Sequence, residues 1–391
     1  MAGGLVMRVL FIGAHVGKGG GLALQTFQVF TGLRQHIDVD LLCLDALGVH
    51  RTMAEIPGVR FAGPLVFPKG IAYLERAVRE VRDEYDLFQI LDPYFSLPAA
   101  FWARVFPRAV FFGTDPRAEV GWRYGPHMNA FMRLAMAPLI SGTPLVVNSQ
   151  ALAARFRRYH PRVIQGGVDT RRFDQLSSKA AARRSLGIPE GRTLLVTVGK
   201  VIPVKRLEWL MEIVRHVPGV DAMVVGGYTE EHYSDEYYRT LLATYPDIRD
   251  RVTFTGEVAW DQVPTYLAAG DIFIFPSKFE GMPNALLEAM AASLPVVVSD
   301  IPPHRELIQH GRTGFLARDP IEMAHQVTTL ANHEDLRHAV GDAARAYVRE
   351  NLDSEACTRA FLELYKRLIA GDLGRDAPVQ EPVELSSSHR D

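Results

Sequence analysis

The chain has 391 residues, of which 48% are hydrophobic and 23% are charged, the balance of a soluble globular protein with room for two or three domains. No apolar run approaches the roughly 20 residues of a membrane-spanning helix, and the first residues lack the pattern of a signal peptide. Cys43 and Cys357 are the only cysteines, too few for a disulfide framework or a zinc cluster. We therefore expect a cytoplasmic protein.

The net charge of −2 is unevenly distributed. Residues 1–175 contain 20 Lys and Arg against 14 Asp and Glu, whereas the remainder contains 23 against 31. A basic first half favours an anionic acceptor or peripheral contact with the inner face of a membrane, although scattered solvated charges explain it equally well. Because no nucleic-acid reader motif accompanies the charge, we expect no nucleic-acid partner.

The first half alternates short apolar runs with longer amphipathic stretches, which is typical of β-α units and a parallel sheet. Val9–Gly13 predicts the first strand, and a glycine-rich turn then leads into a helix over about 22–35. Further buried strands are predicted at Val39–Leu44, Leu87–Leu91, Ala109–Phe112 and Leu145–Asn148.

A second series of apolar runs follows after residue 186, so the chain is predicted to hold two α/β sheets. Its strands are predicted at Thr193–Val198, Ala222–Val225, Val252–Thr255, Ile272–Phe275 and Pro295–Ser299. Residues 354–370 have apolar positions at helical spacing. The polar, proline-containing residues beyond Gly371 predict a disordered tail.

Ligands of open parallel sheets bind beyond the carboxyl ends of the strands, so we looked for function in the loops there. The glycine-rich loop 17–21 lies between the first strand and the first helix. Glycines allow a close approach of the backbone to a ligand, and a helix start offers free N–H groups to an anion. The loop matches neither GxGxxG nor a P-loop, and a tight turn explains it equally well.

A basic loop follows the strand Thr193–Val198. Gly199 is followed by Lys200 and Lys205, five residues apart and close to a predicted helix start. Two such lysines can converge on a diphosphate and neutralise a leaving group. An exposed basic loop without function is the alternative.

The strongest signal lies at residues 276–290. A Gly/Pro turn leads into a helix predicted from about Asn284, with Glu280 before the helix and Glu288 inside it. Eight helical residues span about 12 Å, too far for the carboxylate pair of a glycoside hydrolase, which needs about 5–9.5 Å. We expect the two glutamates to contact different parts of one extended ligand, and Glu288 to bond sugar hydroxyls because a buried carboxylate needs a partner. The alternative is a capped helix with one carboxylate that is satisfied within the protein.

These residues resemble a known family. The Glu280-x7-Glu288 spacing within SKFEGMPNALLEAMAASLPVVVSD resembles the signature of the retaining glycosyltransferases of family 4, which have the GT-B fold. The segments VIQGGVDTRRF, VTVGKVIPVKR and VTFTGEVAWDQVPTYLAAGDIFIFPS agree with it. The resemblance implies an α/β protein of two Rossmann-like domains facing each other across a cleft.

The same resemblance implies a division of the chain. Residues 1–175 would form the acceptor-binding domain and residues 176–353 the domain that binds the nucleotide sugar. A helix over 354–372 would cross back to the first domain, and residues 373–391 would form the disordered tail.

The resemblance also implies roles for single residues. Lys200 and Lys205 match the basic pair that holds the donor diphosphate, Glu280 matches the glutamate that faces the donor sugar, and Glu288 matches the one that bonds the ribose. Further donor contacts are implied for Gly20, Gly21, Gly199, Glu257, Val258, Gly281, Met282, Asn284 and Ala285.

Three positions depart from the family pattern. Many members carry a histidine near the reacting sugar, but residues 110–115 read VFFGTD, so we count Asp115 as a catalytic candidate, with Thr114, His15 and His127 as substitutes. The basic pair is Lys and Lys rather than Arg and Lys. Ser293 stands where glycine is usual, which we interpret as structural.

The sequence and its resemblance thus predict transfer of a sugar from a nucleotide-diphosphate donor to an acceptor hydroxyl, with the retention at the anomeric carbon that the resemblance implies and without a cofactor or bound divalent metal. The expected acceptor is a growing polysaccharide, a lipid-linked glycan or a small natural product. Alternatives are a nucleotide-sugar epimerase of similar fold, a sugar-phosphate synthase or phosphorylase, and a non-catalytic nucleotide-sugar-binding protein.

Overall fold

The computed structural model describes residues 7–13, 21–45, 57–64, 66, 68–92, 95–112, 140, 143–227 and 232–372. These residues fall into two compact units. The first unit comprises the residues up to Gly166 together with those from Ser354 onward, and the second comprises Gly167–Asp353.

The first unit is built on a parallel sheet with the strand order β3-β2-β1-β4-β5-β6-β7. Its strands are β1 Arg8–Gly13, β2 Asp38–Asp45, β3 Val59–Pro64, β4 Leu87–Ile90, β5 Arg108–Phe112, β6 Leu145–Val147 and β7 Arg162–Val163. Its α-helices up to Gly166 are α1 Gly21–Leu33, α2 Lys69–Val81, α3 Ser96–Ala103 and α4 Gln150–Arg155, with 3₁₀ turns at Arg82–Glu84 and Arg157–Tyr159. The order is that of a Rossmann-like sheet.

The second unit repeats this plan with the strand order β10-β9-β8-β11-β12-β13, again parallel throughout. Its strands are β8 Thr193–Val198, β9 Val220–Val225, β10 Val252–Phe254, β11 Ile272–Phe275, β12 Val296–Ser299 and β13 Phe315–Ala317. Its α-helices are α5 Lys179–Leu186, α6 Leu207–His216, α7 His232–Thr244, α8 Val263–Ala269, α9 Asn284–Ala291, α10 Pro302–Arg305, α11 Pro320–Asn332 and α12 Glu334–Asn351. Its 3₁₀ turns are Thr170–Phe173, Pro203–Lys205, Pro246–Arg251 and Trp260–Gln262.

Both sheets are buried on both faces. Successive side chains of a strand point to opposite sides of the sheet, and in each unit the two sides pack in two separate cores. In β1, Phe11 joins a core with Phe30 of α1, whereas Ile12 joins a separate core with Leu74 of α2. In the second unit, Phe273 of β11 packs in one core and Ile274 packs in the other. Each unit therefore has helices on both sides of its sheet.

The last described helix, α13 (Ser354–Ile369), packs in the first unit. Its Phe361 contacts Phe111 of β5 with ring centroids 5.8 Å apart. The hydroxyl of the buried Tyr365 donates to Oε1 of Gln89 in β4 at 3.0 Å. A Cβ built on Gly32 of α1 would lie 2.3 Å from the hydroxyl oxygen of Thr358, so the two helices approach closely because this position is glycine.

All ten predicted strands are present, with small differences at their ends. The strands β3, β7 and β13 were missed. All three lie at an edge of their sheet, where one side of the strand is unpaired and the continuous apolar run of a central strand is not required. Residues 373–391, predicted to form a disordered tail, lie outside the described part of the chain.

The first unit ends at Gly166, so the predicted boundary after residue 175 was placed too late. Val168 and Phe173 belong to a core of the second unit. The carboxylate of Asp174 also accepts from Arg345 of α12 at 3.1 Å. Residues 167–175 belong to the second unit because their apolar side chains are buried there.

Candidate functional site

Three neighbouring strands of the second unit end in glycines that lie close together. A Cβ built on Gly226, after β9, would lie 2.1 Å from the carbonyl oxygen of Gly199, after β8. Gly226 also forms an isolated antiparallel bridge with Gly256, after β10. A larger residue at Gly226 would push these loops apart, so the glycines hold the carboxyl ends of β8 to β10 together.

The loops after β8 and β11 are joined by an ion pair. Nζ of Lys205 donates to Oε1 of Glu280 at 2.7 Å, and their side chains are 19% and 12% exposed. The ammonium also lies 4.5 Å from the ring centroid of Phe275. The pair is therefore partly shielded from water, which strengthens its attraction, but remains accessible to a ligand.

Lys200 lies in the same loop and is half-buried. It forms no ion pair with any residue that the structure describes. Of the two lysines predicted to act together, only Lys205 is in contact with a candidate glutamate.

Glu288 of α9 is almost fully buried and has two partners that the sequence interpretation missed. Its Oε1 accepts from Nη1 of Arg172 at 3.1 Å and from Nε1 of Trp260 at 3.3 Å. The Arg172 guanidinium lies 3.5 Å from the ring centroid of Trp260 and donates to the Trp260 carbonyl oxygen at 2.9 Å. The buried carboxylate thus has protein partners on Oε1, and its contact with sugar hydroxyls stays a prediction.

Burial raises the pKa of Glu288, and the charge and hydrogen bonds of Arg172 and Trp260 oppose that rise. Removing a carboxylate from water disfavours its charged form, whereas a nearby cation favours it. Both hydrogen bonds end on Oε1, so Oε2 is not used by either partner. A held carboxylate whose Oε2 lies outside both of these hydrogen bonds suits a ligand hydroxyl.

Helix α9 begins at Asn284, as predicted. Pro283 precedes it and provides no side-chain cap, and the N–H groups of Asn284 and Leu286 donate to the backbone carbonyl oxygens of Met282 and Pro283 at 3.0 and 2.9 Å. Gly281 and Met282 are buried, and the Met282 side chain packs in the core. Ala285 packs partly against the same core.

The segment after β10 is more open. Glu257 is exposed and Val258 is half-buried against the core. A Cβ built on Gly227 would lie 3.2 Å from Cβ of Glu257, so the loops after β9 and β10 are in contact here.

Most first-unit candidates lie outside the described residues: Gly20, Asp115, Thr114, His15 and His127. Gly21 is the first residue of α1.

In the described part of the chain, no group of three His, Cys, Asp or Glu side chains could hold a metal ion. An Asp-x-Asp spacing occurs at Asp38–Asp40, at the amino-terminal end of β2, where Asp40 accepts from the Tyr85 hydroxyl at 2.6 Å.

His304 of α10 is a further buried polar residue near the Lys205–Glu280 pair. Its Nδ1 donates to the carbonyl oxygen of Ser299 at 2.7 Å, and its ring centroid lies 5.6 Å from that of Phe275. Burial lowers the pKa of His304 to about 4, so the ring is neutral near pH 7. Its Nε2 is buried and accepts no hydrogen bond from a described residue.

The sequence held a signal for two of the missed residues. Arg172 lies in VIQGGVDTRRF and Trp260 in the segment after β10, both of which resemble family segments. No local pattern could show that these two side chains meet at Glu288, because Arg172 is 116 residues away from it.

Comparison with known proteins supports the resemblance. Residues 192–333 match the profile of the family described as glycosyl transferases group 1. The chain is 30% identical over 252 residues to a GDP-mannose-dependent alpha-(1-6)-phosphatidylinositol monomannoside mannosyltransferase of Mycobacterium tuberculosis, which covers 59% of this chain and 62% of that protein. It is 28% identical over 213 residues to a D-inositol 3-phosphate glycosyltransferase of Streptomyces scabiei, covering 52% and 48%.

Among solved structures, HepE of Anabaena in complex with UDP and glucose is similar, with a TM-score of 0.78 and 23% identity over 93% of this chain and 100% of that one. At this identity the similarity concerns the fold, and the predicted α/β class with two Rossmann-like domains is confirmed. The predicted family resemblance is also confirmed. The chain spans only about half to three-fifths of the two curated relatives named above.

Proposed function

We propose that this chain, whose residues 192–333 match the glycosyl transferases group 1 profile, transfers a sugar from a nucleotide-diphosphate donor to an acceptor hydroxyl. The observation that carries the proposal is the pairing of Lys205 with Glu280 at 2.7 Å, at the carboxyl end of a Rossmann-like sheet. It is supported by the second carboxylate, Glu288, held by Arg172 in the same unit.

In the proposed reaction, the bond between the anomeric carbon and the diphosphate oxygen breaks, and negative charge develops on the leaving diphosphate. Lys205 and Lys200 stabilise that charge, together with the positive end of the α9 dipole. Glu280, which loses its ammonium partner to the diphosphate, faces the sugar. Glu288 uses Oε2 to accept from the ribose.

The test begins with binding. The melting temperature is measured with UDP, GDP, UDP-glucose and GDP-mannose separately, since a ligand that binds the folded state raises it by mass action. Donors that bind are then incubated with and without mixed glycan and lipid acceptors. Acceptor-dependent nucleotide release is the expected result, and Glu280→Ala should lower turnover more than binding.

Two other outcomes identify the alternatives. A changed sugar on an intact nucleotide, without acceptor, indicates an epimerase. Tight nucleotide binding with no turnover for any acceptor or sugar phosphate indicates a non-catalytic binding protein. Either result contradicts the proposed transfer.

We propose that the sugar keeps its anomeric configuration. In this scheme the acceptor hydroxyl attacks from the face that the diphosphate leaves, and a donor phosphate oxygen takes the hydroxyl proton, so the chain need not supply a general base. The family resemblance supports this stereochemistry. Proton NMR of the first product formed from an α-linked donor should show an α-anomer, and a β-anomer would refute retention.

We also propose that transfer needs no bound divalent metal. The two lysines and the helix start would provide the positive charge that a metal otherwise supplies. Turnover should therefore be unchanged in excess EDTA, whereas a loss that manganese or magnesium restores would refute the proposal.

We propose a cytoplasmic protein that touches the membrane through the first unit and takes a lipid-linked or anionic acceptor. No helix in the described residues is long and apolar enough to cross a bilayer. The segment 101–108 instead exposes Trp102 by 54% and Phe106 by 65%, and contains the exposed Arg104 but no acidic residue. Exposed aromatics with an exposed arginine suit the surface of an anionic bilayer.

The exposed Phe106 ring lies against a buried arginine. The buried Arg108 guanidinium lies 4.6 Å from the ring centroid of Phe106 and 5.5 Å from that of Phe101. In sedimentation with vesicles rich in phosphatidylglycerol, the double variant Trp102→Ser/Phe106→Ser should lose binding. Ile321→Ser, which removes an 81% exposed apolar side chain of the second unit, should not. Equal sedimentation of both variants would contradict this contact.

A further inference from the structure

The backbone of Arg206 adopts an unusual conformation between the 3₁₀ turn Pro203–Lys205 and helix α6. Its φ and ψ are both 47°, in the left-handed region. A side chain with a Cβ is disfavoured there, whereas glycine enters that region without steric cost. A long, charged side chain at such a position indicates that its contacts offset the strain of the backbone.

Those contacts join the two loops that carry the Lys205–Glu280 pair. Nε of Arg206 donates to the carbonyl oxygen of Pro276 at 2.7 Å, and Nη2 donates to that of Ser277 at 2.9 Å. Both carbonyls belong to the first two residues after β11. The guanidinium also lies 4.1 Å from the ring centroid of Trp209 in α6, which restricts its position.

Neighbouring hydrogen bonds also hold the loop after β11 in place. The Lys278 N–H donates to the Val204 carbonyl oxygen at 2.8 Å, directly beside the Arg206 contacts. The Ser277 carbonyl oxygen also accepts from Oγ of Ser299, at the end of β12, at 2.5 Å. The loop after β11 is thus held from β8 and from β12 before it reaches Glu280.

We propose that Arg206 is a positioning residue, which fixes the loop after β11 so that Glu280 and Lys205 keep the spacing needed to bind the donor. The inference rests on the proposed function. Arg206 does not touch the donor in this scheme and acts through Lys205 and Glu280. Because a misplacement of about 1 Å at reacting groups can cost about a hundredfold in rate, loosening this loop should affect chemistry far more than folding.

The test compares Arg206→Gly with the wild type. Glycine removes the two hydrogen bonds but adopts the left-handed backbone freely, so the melting temperature should change little. The kcat for the donor found above should fall by about tenfold to a hundredfold. Arg206→Asn is the second variant, since asparagine tolerates this conformation and cannot reach both carbonyls.

The chain offers a matched control. Nη2 of Arg251 also donates to two backbone carbonyl oxygens, those of Val217 at 3.2 Å and Val220 at 2.8 Å, but at the opposite end of the same sheet. Arg251→Ala should leave kcat within about twofold of the wild type after correction for the folded fraction, in line with a purely structural arginine.

A double-mutant cycle separates positioning from stability. The dissociation constant of UDP or GDP is measured for the wild type, Arg206→Gly, Lys205→Ala and the double variant. The effect of Arg206→Gly is then compared between the wild-type background and the Lys205→Ala background. If Arg206 acts through Lys205, the substitution weakens binding in the first background and changes it by less than about twofold in the second. The same factor in both backgrounds, or wild-type kcat in both Arg206 variants, overturns the inference.

The result that contradicts the proposed function differs from the result that contradicts the role of Arg206. A wild type that binds no nucleotide and turns over no nucleotide sugar contradicts the function itself. A fully active wild type with equally active Arg206 variants contradicts only the positioning role.

Discussion

The Lys205–Glu280 pair and the Arg172–Glu288–Trp260 cluster belong to the same unit, yet they hold a carboxylate in different ways. Glu280 lies on a loop, and its pair retains 19% and 12% exposure of the two side chains. Glu288 lies inside α9, and the side chains of Arg172 and Glu288 are only 15% and 4% exposed. The Lys205–Glu280 pair is the more accessible of the two, so an incoming anion can reach its ammonium, whereas a buried carboxylate depends on its cation.

This difference indicates that the two regions have different roles in the proposed reaction. The Lys205–Glu280 pair suits the part of a reaction in which charge changes, because its ammonium can be transferred from Glu280 to an incoming anion. The Arg172–Glu288–Trp260 cluster suits a part that stays constant, such as recognition of a hydroxyl. Substitutions should therefore affect turnover at the first region, and stability and affinity at the second.

The largest effect is expected for Lys205→Ala. Loss of the ammonium removes charge stabilisation from the leaving diphosphate and leaves Glu280 without its partner, so kcat should fall by about 10²–10³-fold. Nucleotide release at saturating donor measures it. Lys278→Ala is the control, since Lys278 is exposed on the loop of Glu280 and should stay within about twofold. Similar losses in both variants would deny Lys205 a specific role.

A large change in stability is expected for Arg172→Met. It keeps the apolar bulk near Trp260 but leaves a buried carboxylate without its cation, which costs about 3 kcal/mol in the free energy of unfolding. Denaturant unfolding at pH 7.5 measures this cost. The additional change Glu288→Gln should recover most of it, because an amide needs no counter-charge. Failure of that recovery would show that Arg172 stabilises by packing alone.

The same variant should change the pH dependence of stability. The pKa of Glu288 is raised in the folded state, so the folded protein binds a proton more readily than the unfolded chain just above the ordinary glutamate value, about 4.3. Stability then falls as pH rises through that window. Without Arg172 the folded pKa rises further, so the deficit of Arg172→Met should be largest at pH 8 and smallest near pH 5. A deficit independent of pH would contradict this origin.

The smallest effect is expected for Trp260→Phe. The change keeps a ring under Arg172 but removes the Nε1 hydrogen bond to Glu288, 3.3 Å long, worth about 1 kcal/mol. Nucleotide affinity should weaken by about fivefold with kcat nearly unchanged, as measured by calorimetry and steady-state kinetics. Trp102→Phe, an exposed position of the first unit, is the control. A kcat loss as large as that of Lys205→Ala would remove the distinction between the two regions.

Sequence patterns were informative where a strand is buried on both sides. The run IFIF at Ile272–Phe275 has every side chain buried, because the strand lies inside its sheet with helices on both faces. The edge strand Val59–Pro64 has the mixed sequence VRFAGP and exposed or half-buried side chains throughout, so no apolar run marks it. The strand Arg162–Val163 has only two residues, too few for an alternation of apolar and polar side chains to be detected.

The residues of the candidate site likewise fall into those that the sequence could indicate and those that it could not. Lys205, Glu280 and Glu288 could be selected from the sequence because their spacing lies within one short loop or one loop and helix. Arg172 and Arg206 could not be assigned a role, since an arginine in a loop has the same local pattern whether it is solvated or bonded to a distant group. Their partners are 116 residues away for Arg172 and 70 and 71 for Arg206.

The sequence by itself determined two parallel α/β sheets, the helix that begins at Asn284, and the family to which the second unit is similar, because these depend on local periodicity and short spacing. Only the tertiary structure decided which charges meet: Lys205 with Glu280, Arg172 with Glu288, and Arg206 with the carbonyls after β11. The reason is physical, since an ion pair or a hydrogen bond depends on distances of a few ångströms, which the folding of remote segments sets.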